Sequence, residues 1–377
     1  MTKRKKICMV TLPNINYDSR ILNEAESLSK DYDVVILNPK YSTSREIGQK
    51  KFFIKFVNCP KRLKWTEYFS PLFKLVNLFL LAKAADGEKA DFYHGHDLYG
   101  LFCVYRTAKK NNCPVVYDSH ELWSNVTLFG GWKLFRPIFA LIEKFLAPKA
   151  NVIITVNDLL ASYLRKIYHK PTLSIYNFPK VKHKNVYKNL KKDFPYHKLI
   201  VYIGAWRQGR AIDLVLEAAK QLDHSFKFVF IGYGINKDLV EKITSDKDLR
   251  YKIIIKEPVP PEQLIDLVRN SEVGLCLIEN VSKSYYWSSP NKLFQYLAAE
   301  VPVLGSNFPE FKKFIGKNKV GELIDPSDFI QITHALQKMV KLTQQKIYNK
   351  NLANLAKEKY NWQKESLKLQ KLYRSLV

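Results

Sequence analysis

Short apolar runs of strand length alternate with longer amphipathic stretches along this chain, and the alternation occurs twice. ICMVTL, DVVILN, FYHGH, PVVYDSH and NVIITVN fall in the first half; KLIVYIG, FKFVFIG, YKIIIKE, VGLCLI and VPVLGS fall in the second. Runs that are apolar at successive positions suit strands buried on both faces, as in a parallel sheet covered by helices. Between the first two runs, SRILNEAESLSKDY places Ile21, Leu22, Ala25 and Leu28 on one helical face, which would pack on that sheet. The pattern predicts an α/β chain in which one layered architecture is built twice. With 377 residues, 46% of them hydrophobic, the chain is long enough for two such cores.

After Pro179 the composition changes to KVKHKNVYKNLKKDFPYHK, rich in lysine and poor in apolar residues, which reads as an interdomain connection. The expected boundaries are 1–178 for the first domain, 179–196 for the linker and 197–358 for the second domain. Residues 359–377 would form a terminal helix that packs back on the first domain.

Lysine and arginine number 61 against 35 aspartates and glutamates, a formal charge of +26. Such a field attracts phosphates, anionic headgroups or nucleic acid, and charge alone does not choose among them. The chain has no recognition helix, zinc finger or RNP-like strand, which argues against nucleic acid as the partner. Five scattered cysteines without a CxxC pair indicate neither a disulfide framework nor a zinc site. MTKRKK leads straight into an apolar run too short for the core of a signal peptide, and no run reaches the roughly 18 residues that would cross a bilayer. The expectation is a cytoplasmic protein whose membrane contact, if any, is peripheral, on the inner face of the cell membrane. Two segments, KRLKWTEYFSPLFKLVNLFLLAKAA and FGGWKLFRPIFALIEKFLAPKA, combine basic residues with Trp, Phe and Leu. They read equally as helices lying on an anionic membrane surface and as helices packed on the first sheet.

Ligands of open parallel sheets bind outside the carboxyl ends of the strands, so the turns after the apolar runs hold the candidate site residues. In the first half these are Asp18, Ser19 and Arg20, then His94, His96 and Asp97, then Asp118, His120 and Glu121. Asp18 or Asp97 taken alone reads as a helix cap. The imidazoles of His96 and His120, on matching edges of successive strands, suit sugar hydroxyls or proton transfer. A metal set of His94, His96, His120 and Glu121 fits by residue type, but its spacing matches no familiar motif. In the second half, YIGAWRQGR offers Gly204 and Gly209 to free the backbone, with Arg207 and Arg210 as guanidinium forks for a diphosphate. FIGYG repeats the theme with Gly232 and Gly234. In SSPNKLFQYLAAEVPVLGSNFPEF, Ser288, Ser289 and Pro290 open an amphipathic helix whose free amides and dipole suit a phosphate. Lys292 in the first turn opposes the helix dipole, which an anion bound there would explain.

The segments YDSRIL, HGHDL, YDSHELW, ITVN, IYNFP, YIGAWRQGR and SPNKLFQYLAAEVPV, in this order and spacing, resemble the family 4 group of retaining glycosyltransferases, in its bacterial surface-polysaccharide or lipopolysaccharide branch. The similarity runs over nearly the whole length. It implies the GT-B fold: two doubly wound Rossmann-like domains facing each other across a cleft, the first holding the acceptor and the second a nucleoside diphosphate sugar. Carried over by position, His120 would contact the donor sugar near the reacting centre, and Arg210 and Lys292 would neutralise the diphosphate. Asn291 and the Ser288–Ser289 turn would hold sugar or phosphates, and Gln295 stands where a glutamate normally binds the nucleotide ribose. Asp18, Arg20, His96, Asp97 and Glu121 are left as acceptor contacts. Trp287 replaces the first acid of the family's glutamate pair, and Ala211 and Glu300 fill positions that are usually glycine. If a left-handed backbone is required at Glu300, the residue carries strain of about 1 kcal/mol.

The implied reaction is transfer of a sugar to a saccharide or lipid-linked acceptor with retention of configuration. Two cations and a helix start can stabilise the departing diphosphate, so no metal and no other cofactor is expected. The altered residues Gln295 and Glu300 leave a second reading, a noncatalytic protein of the same fold that binds a nucleotide sugar or a partner.

Overall fold

The computed structural model describes residues 4–40, 52–59, 70–125, 135–180, 189–235, 237–355 and 360–376, without the side chains of 17, 70–74, 261 and 262. The chain forms two compact units, residues 1–177 with 363–377, and residues 178–362.

In the first unit the strands are β1 (Lys6–Val10), β2 (Asp33–Pro39), β3 (Phe53–Val57), β4 (Phe92–His96), β5 (Val115–Ser119), β6 (Val152–Thr155) and β7 (Thr172–Ser174). The helices between them are α1 (Ser19–Leu28), α2 (Ser70–Gly87), α3 (Asp97–Lys110), α4 (Arg136–Leu146) and α5 (Asp158–Tyr168). The strands pair in parallel in the order β3-β2-β1-β4-β5-β6-β7. Strand order reverses between β1 and β4, where Ile7 pairs with Val34 on one side and Phe92 on the other. That reversal is the switch point at which a doubly wound sheet opens a crevice.

The second unit repeats the plan. Its strands are β8 (Lys198–Ile203), β9 (Phe226–Ile231), β10 (Ile253–Lys256), β11 (Val273–Cys276), β12 (Val303–Ser306) and β13 (Gly321–Ile324). Its helices are α6 (Leu190–Asp193), α7 (Ile212–Gln221), α8 (Lys237–Ser245), α9 (Pro261–Val268), α10 (Lys283–Tyr286), α11 (Asn291–Ala298), α12 (Pro309–Phe311), α13 (Phe329–Gln344) and α14 (Asn349–Asn354). These strands too are parallel, in the order β10-β9-β8-β11-β12-β13, with the switch point between β8 and β11. Each unit is a Rossmann-like domain.

The ten apolar runs of the sequence are the strands β1, β2, β4, β5, β6 and β8 to β12. Strands β3, β7 and β13, each at a sheet edge and only partly buried, are not among those runs. A final helix, α15 (Trp362–Ser375), belongs from Gln363 onward to the first unit. Gln370 donates to the Ser27 carbonyl at 2.9 Å, and the fully buried Tyr373 ring packs edge-on to Phe92 at 5.6 Å between centroids. Of the lysine-rich connection, residues 181–188 lie outside the described residues.

Candidate active site

At the switch point of the second sheet, Tyr296 of α11 fills the crevice between β8 and β11. Its hydroxyl accepts from Ile203 N and donates to Val201 O, both at 2.9 Å. Gly274 makes this seat available, since a Cβ there would stand 2.5 Å from the Tyr296 ring. The buried tyrosine thereby fixes where α11 begins, over the carboxyl ends of the two strands. That helix start has Pro290 as its cap residue and no side-chain capping bond.

Lys292, in the first turn, is 7% exposed and holds its ammonium 4.0 Å above the Tyr202 ring. Its Nζ has no hydrogen-bond partner among the described residues. Burial lowers its pKa from 10.5 to about 7; the nearby Cys276 thiol opposes the shift and Arg210 adds to it. A buried ammonium without an acceptor is costly unless something anionic completes the site. Arg210 stacks on Tyr285 at 4.6 Å, and Arg207 is exposed in the same loop. Ser288 Oγ donates to Tyr285 O at 2.8 Å, Ser289 is buried, Asn291 is exposed and Gln295 half-buried.

The loops behind these groups approach closely. Gly204 has φ 123° and Gly234 has φ 83°, while a Cβ on Gly232 would lie 1.9 Å from the Gly204 carbonyl oxygen. Only glycine at 232 lets the ends of β8 and β9 come together this way. Ala211 and Glu300 both adopt the left-handed conformation, with φ 53° and 59°, so each of the two replacements of glycine carries strain of about 1 kcal/mol. Glu279 holds the loop before α7: its carboxylate accepts from Ala211 N at 2.9 Å, and its amide donates to Gly209 O at 3.1 Å. Sequence reasoning missed Tyr202, Tyr285 and Glu279. Tyr202 sits inside an apolar run and reads as core, whereas Glu279, just past β11, has a strand-end position that signals it.

In the first unit, α1, β4, α3 and the end of β5 bring Asp18, Arg20, His94, His96, Asp97, Asp118 and His120 together, while Ser19 Oγ accepts from Asn177 Nδ2 at 3.4 Å. Asp18 caps α1, accepting from Ile21 N at 3.1 Å. Arg20 is 3% exposed, and its guanidinium donates to both oxygens of Asp118 at 2.9 and 2.8 Å and to Ile175 O at 2.5 Å. It also lies 3.1 Å from Glu24. His120 Nε2 is 3.0 Å from Asp118 Oδ2, and its Nδ1 is 3.6 Å from Asp97 Oδ2. The His120 amide donates to Asp97 Oδ1 at 3.1 Å. Asp97 itself has φ 58°, a strained conformation at the first residue of α3. His96 stacks on His94 at 4.2 Å and meets His120 edge-on at 5.6 Å. Glu121 is exposed, its carbonyl accepting from Ser119 Oγ at 2.8 Å.

Electrostatics sorts this cluster. Burial disfavours charge on Asp118, but Arg20 and His120 hold it well below the usual carboxylate range. For His120, burial is outweighed by Asp97 and Asp118, which carry its pKa from 6.5 to about 10. Burial lowers the pKa of His94 and His96 and raises that of Glu24, disfavouring charge on all three. Glu24, His94, His96 and Asp118 present ligand atoms within 4.8 Å of one another, a set a metal could use. The Arg20 guanidinium already lies against both carboxylates of that set, and a divalent ion would have to displace it.

Two family models match the chain: Glycosyltransferase Family 4 over residues 19–178 and Glycosyl transferases group 1 over residues 188–362. No curated protein matches in sequence. Among solved structures, the chain is similar to sucrose-phosphate synthase from Thermosynechococcus elongatus, with 13% identity, a TM-score of 0.78 and 99% of each chain covered. It is similar also to HepE from Anabaena in complex with UDP, with 12% identity, a TM-score of 0.73, and 98% of this chain and 100% of that one covered. For HepE with UDP-glucose the values are 11%, 0.73, 98% and 99%. At these identities the likeness speaks for the fold, while the two family models carry the activity. The chain therefore belongs to the glycosyltransferases of the GT-B fold, with a first half of the Family 4 type and a second half of the group 1 type.

Proposed function

We propose that the protein transfers a sugar from a nucleoside diphosphate sugar to a saccharide or lipid-linked acceptor with retention of configuration and without a metal. The single observation that carries this reading is Lys292, a buried ammonium lacking a hydrogen-bond acceptor, beside Arg210 and the uncapped start of α11. These groups suit the charge that develops on a diphosphate as the anomeric C–O bond breaks. The acceptor oxygen forms the new bond on the face the diphosphate leaves, and the acceptor proton departs with the diphosphate. Gly204, Arg207, Gly232 and Gly234 bring backbone and charge to the phosphates, while Ser288, Ser289, Asn291 and Gln295 hold sugar and ribose. His120 acts at the reacting sugar, and Asp18, Arg20, His96, Asp97 and Glu121 shape the acceptor side of the first unit. That HepE, of similar fold, is solved with UDP and with UDP-glucose makes uridine nucleotides the first probes.

Lys292→Ala is expected to lower turnover by orders of magnitude while the protein stays folded, because the lysine makes no structural hydrogen bond. Ordinary turnover in that variant refutes the assignment. Release of nucleotide from a panel of donors, UDP-glucose among them, separates the enzyme from a noncatalytic binder, the reading that Gln295 and Glu300 favour.

The acceptor side, in this reading, works at an anionic membrane surface. Among the described residues no helix is long and apolar enough to cross a membrane. Helix α4 nevertheless exposes Ile138, Leu141 and Phe145 along one side, with Lys149 over the Phe145 ring, while Glu143 and Leu146 face inward. Exposed Leu75 and Phe79 of α2 and Phe102 of α3 add to this apolar surface. Apolar side chains fringed by lysine suit the headgroup boundary of an anionic bilayer.

A further inference from the structure

His120 has a carboxylate at each ring nitrogen: Asp118 at Nε2, 3.0 Å away, and Asp97 at Nδ1, 3.6 Å away. A neutral imidazole carries one N–H and would turn a lone pair toward one of them, so this pairing selects the doubly protonated ring. Asp118 cannot swing away, because Arg20 grips both its oxygens and is itself held by Glu24 and the Ile175 carbonyl. Asp97 is fixed from the other side, since its second oxygen accepts the His120 amide. The neighbouring rings offer no competing seat for the charge. His94 is fully buried, its Nδ1 taken by the Tyr373 hydroxyl at 2.8 Å, and His96, although its Nδ1 lies 3.3 Å from Asp118, is hydrogen-bonded at neither ring nitrogen among the described residues and has its pKa lowered by burial.

We propose that Asp97 and Asp118, the latter locked by Arg20, are positioning residues that hold His120 as a fixed imidazolium, so that the ring works as a cationic hydrogen-bond donor and not as a base. This rests on the reading of His120 as a group that acts at the reacting sugar. The titratable and charged groups that face the ring are Asp97 from α3 and Asp118 from β5, with Arg20 and Glu24 from α1 behind Asp118 and His96 from β4 at the edge. In this arrangement Arg20, placed by the sequence among the acceptor contacts, acts through Asp118.

The test is 15N NMR of the full chain labelled at histidine, with His120 identified by the signals that disappear in His120→Gln. In the unaltered protein both ring nitrogens of His120 are expected to carry protons at pH 8, and the ring to titrate only near pH 10. Asp97→Asn is expected to bring that titration down by more than one pH unit with the fold retained, because Asp97 is partly exposed. Asp118→Asn strips Arg20 of its partner, and if it fails to fold the Asp97 variant still decides. A His120 ring that is a neutral tautomer at pH 8 overturns the proposal, as does an Asp97→Asn ring that titrates unchanged. The readout needs no turnover, so it is separate from the transferase reading. Ordinary turnover in His120→Gln removes His120 from the chemistry while leaving the NMR result in place.

Discussion

Lys292 carries a charge that its own surroundings oppose. Its pKa of about 7 lies far below the ordinary 10.5, burial being the main cause. Between these values the unfolded chain holds a proton that the folded one has released, so Lys292 destabilises the ligand-free fold below pH 7 and that penalty fades as pH rises. A bound diphosphate reverses the preference by giving the ammonium an acceptor. Binding of UDP is therefore expected to take up a proton, and its affinity to fall by up to about tenfold per pH unit above 7. Calorimetric titration in buffers of different ionisation enthalpy checks this, and affinity flat from pH 6 to 9 contradicts it. A single position explains how such a lysine is tolerated: the face of Tyr202 lies beneath it, supplying the modest stabilisation of a cation over an aromatic ring. The lysine was legible in the sequence from its awkward place in a first helical turn. Tyr202 was not, since a tyrosine inside KLIVYIG looks like any other core residue.

Helices in this protein differ in what their apolar faces meet. Helix α15 buries Leu369 and Tyr373 completely in the first unit, and the Tyr373 hydroxyl holds His94. Tyr373→Ala is expected to lower the stability of that unit by about 3–5 kcal/mol, the usual loss for deleting a buried aromatic ring. Denaturant unfolding monitored in that unit measures it. Helix α4 turns one face inward but leaves Leu141 and Phe145 at 68% and 62% exposure. Glutamate at both positions should leave the melting temperature unchanged and abolish co-sedimentation with anionic vesicles, which in the unaltered protein should weaken at high salt. Unaltered vesicle binding in the double variant contradicts the membrane reading. The sequence placed both helices, yet amphipathic periodicity was unable to say which apolar face packs on the sheet and which is left to solvent. The edge strands β7 and β13 were illegible for a related reason, because a short, partly buried strand needs no apolar run.

At the scale of the whole molecule the two units should respond to different ligands and different pH ranges. Nucleoside diphosphate binding is expected to raise the melting transition of the second unit by mass action, worth about 2.7 kcal/mol at a ligand concentration one hundred times Kd. In the first unit His120 has a pKa raised to about 10, so its stabilising contribution is complete below about 6.5 and is lost as pH rises through 10. Asp118, held low, contributes above its ordinary range and loses that contribution as pH falls. Differential scanning calorimetry with and without UDP, at pH 7 and pH 10, separates these effects; a nucleotide that shifts no transition at any pH counts against donor binding. By itself the sequence determined the layered α/β plan, its duplication and the strand-end loops that carry the candidate residues, because hydrophobic periodicity and strand-end chemistry are local properties of the chain. Only the tertiary structure decided which charges are paired. Arg20 and Asp118 stand 98 residues apart, and Tyr373 and His94 stand 279 apart, in contacts that exist only once the sheet has ordered its strands. The protonation of His120 and Lys292 follows from those neighbours and from burial, neither of which is written at the residue itself.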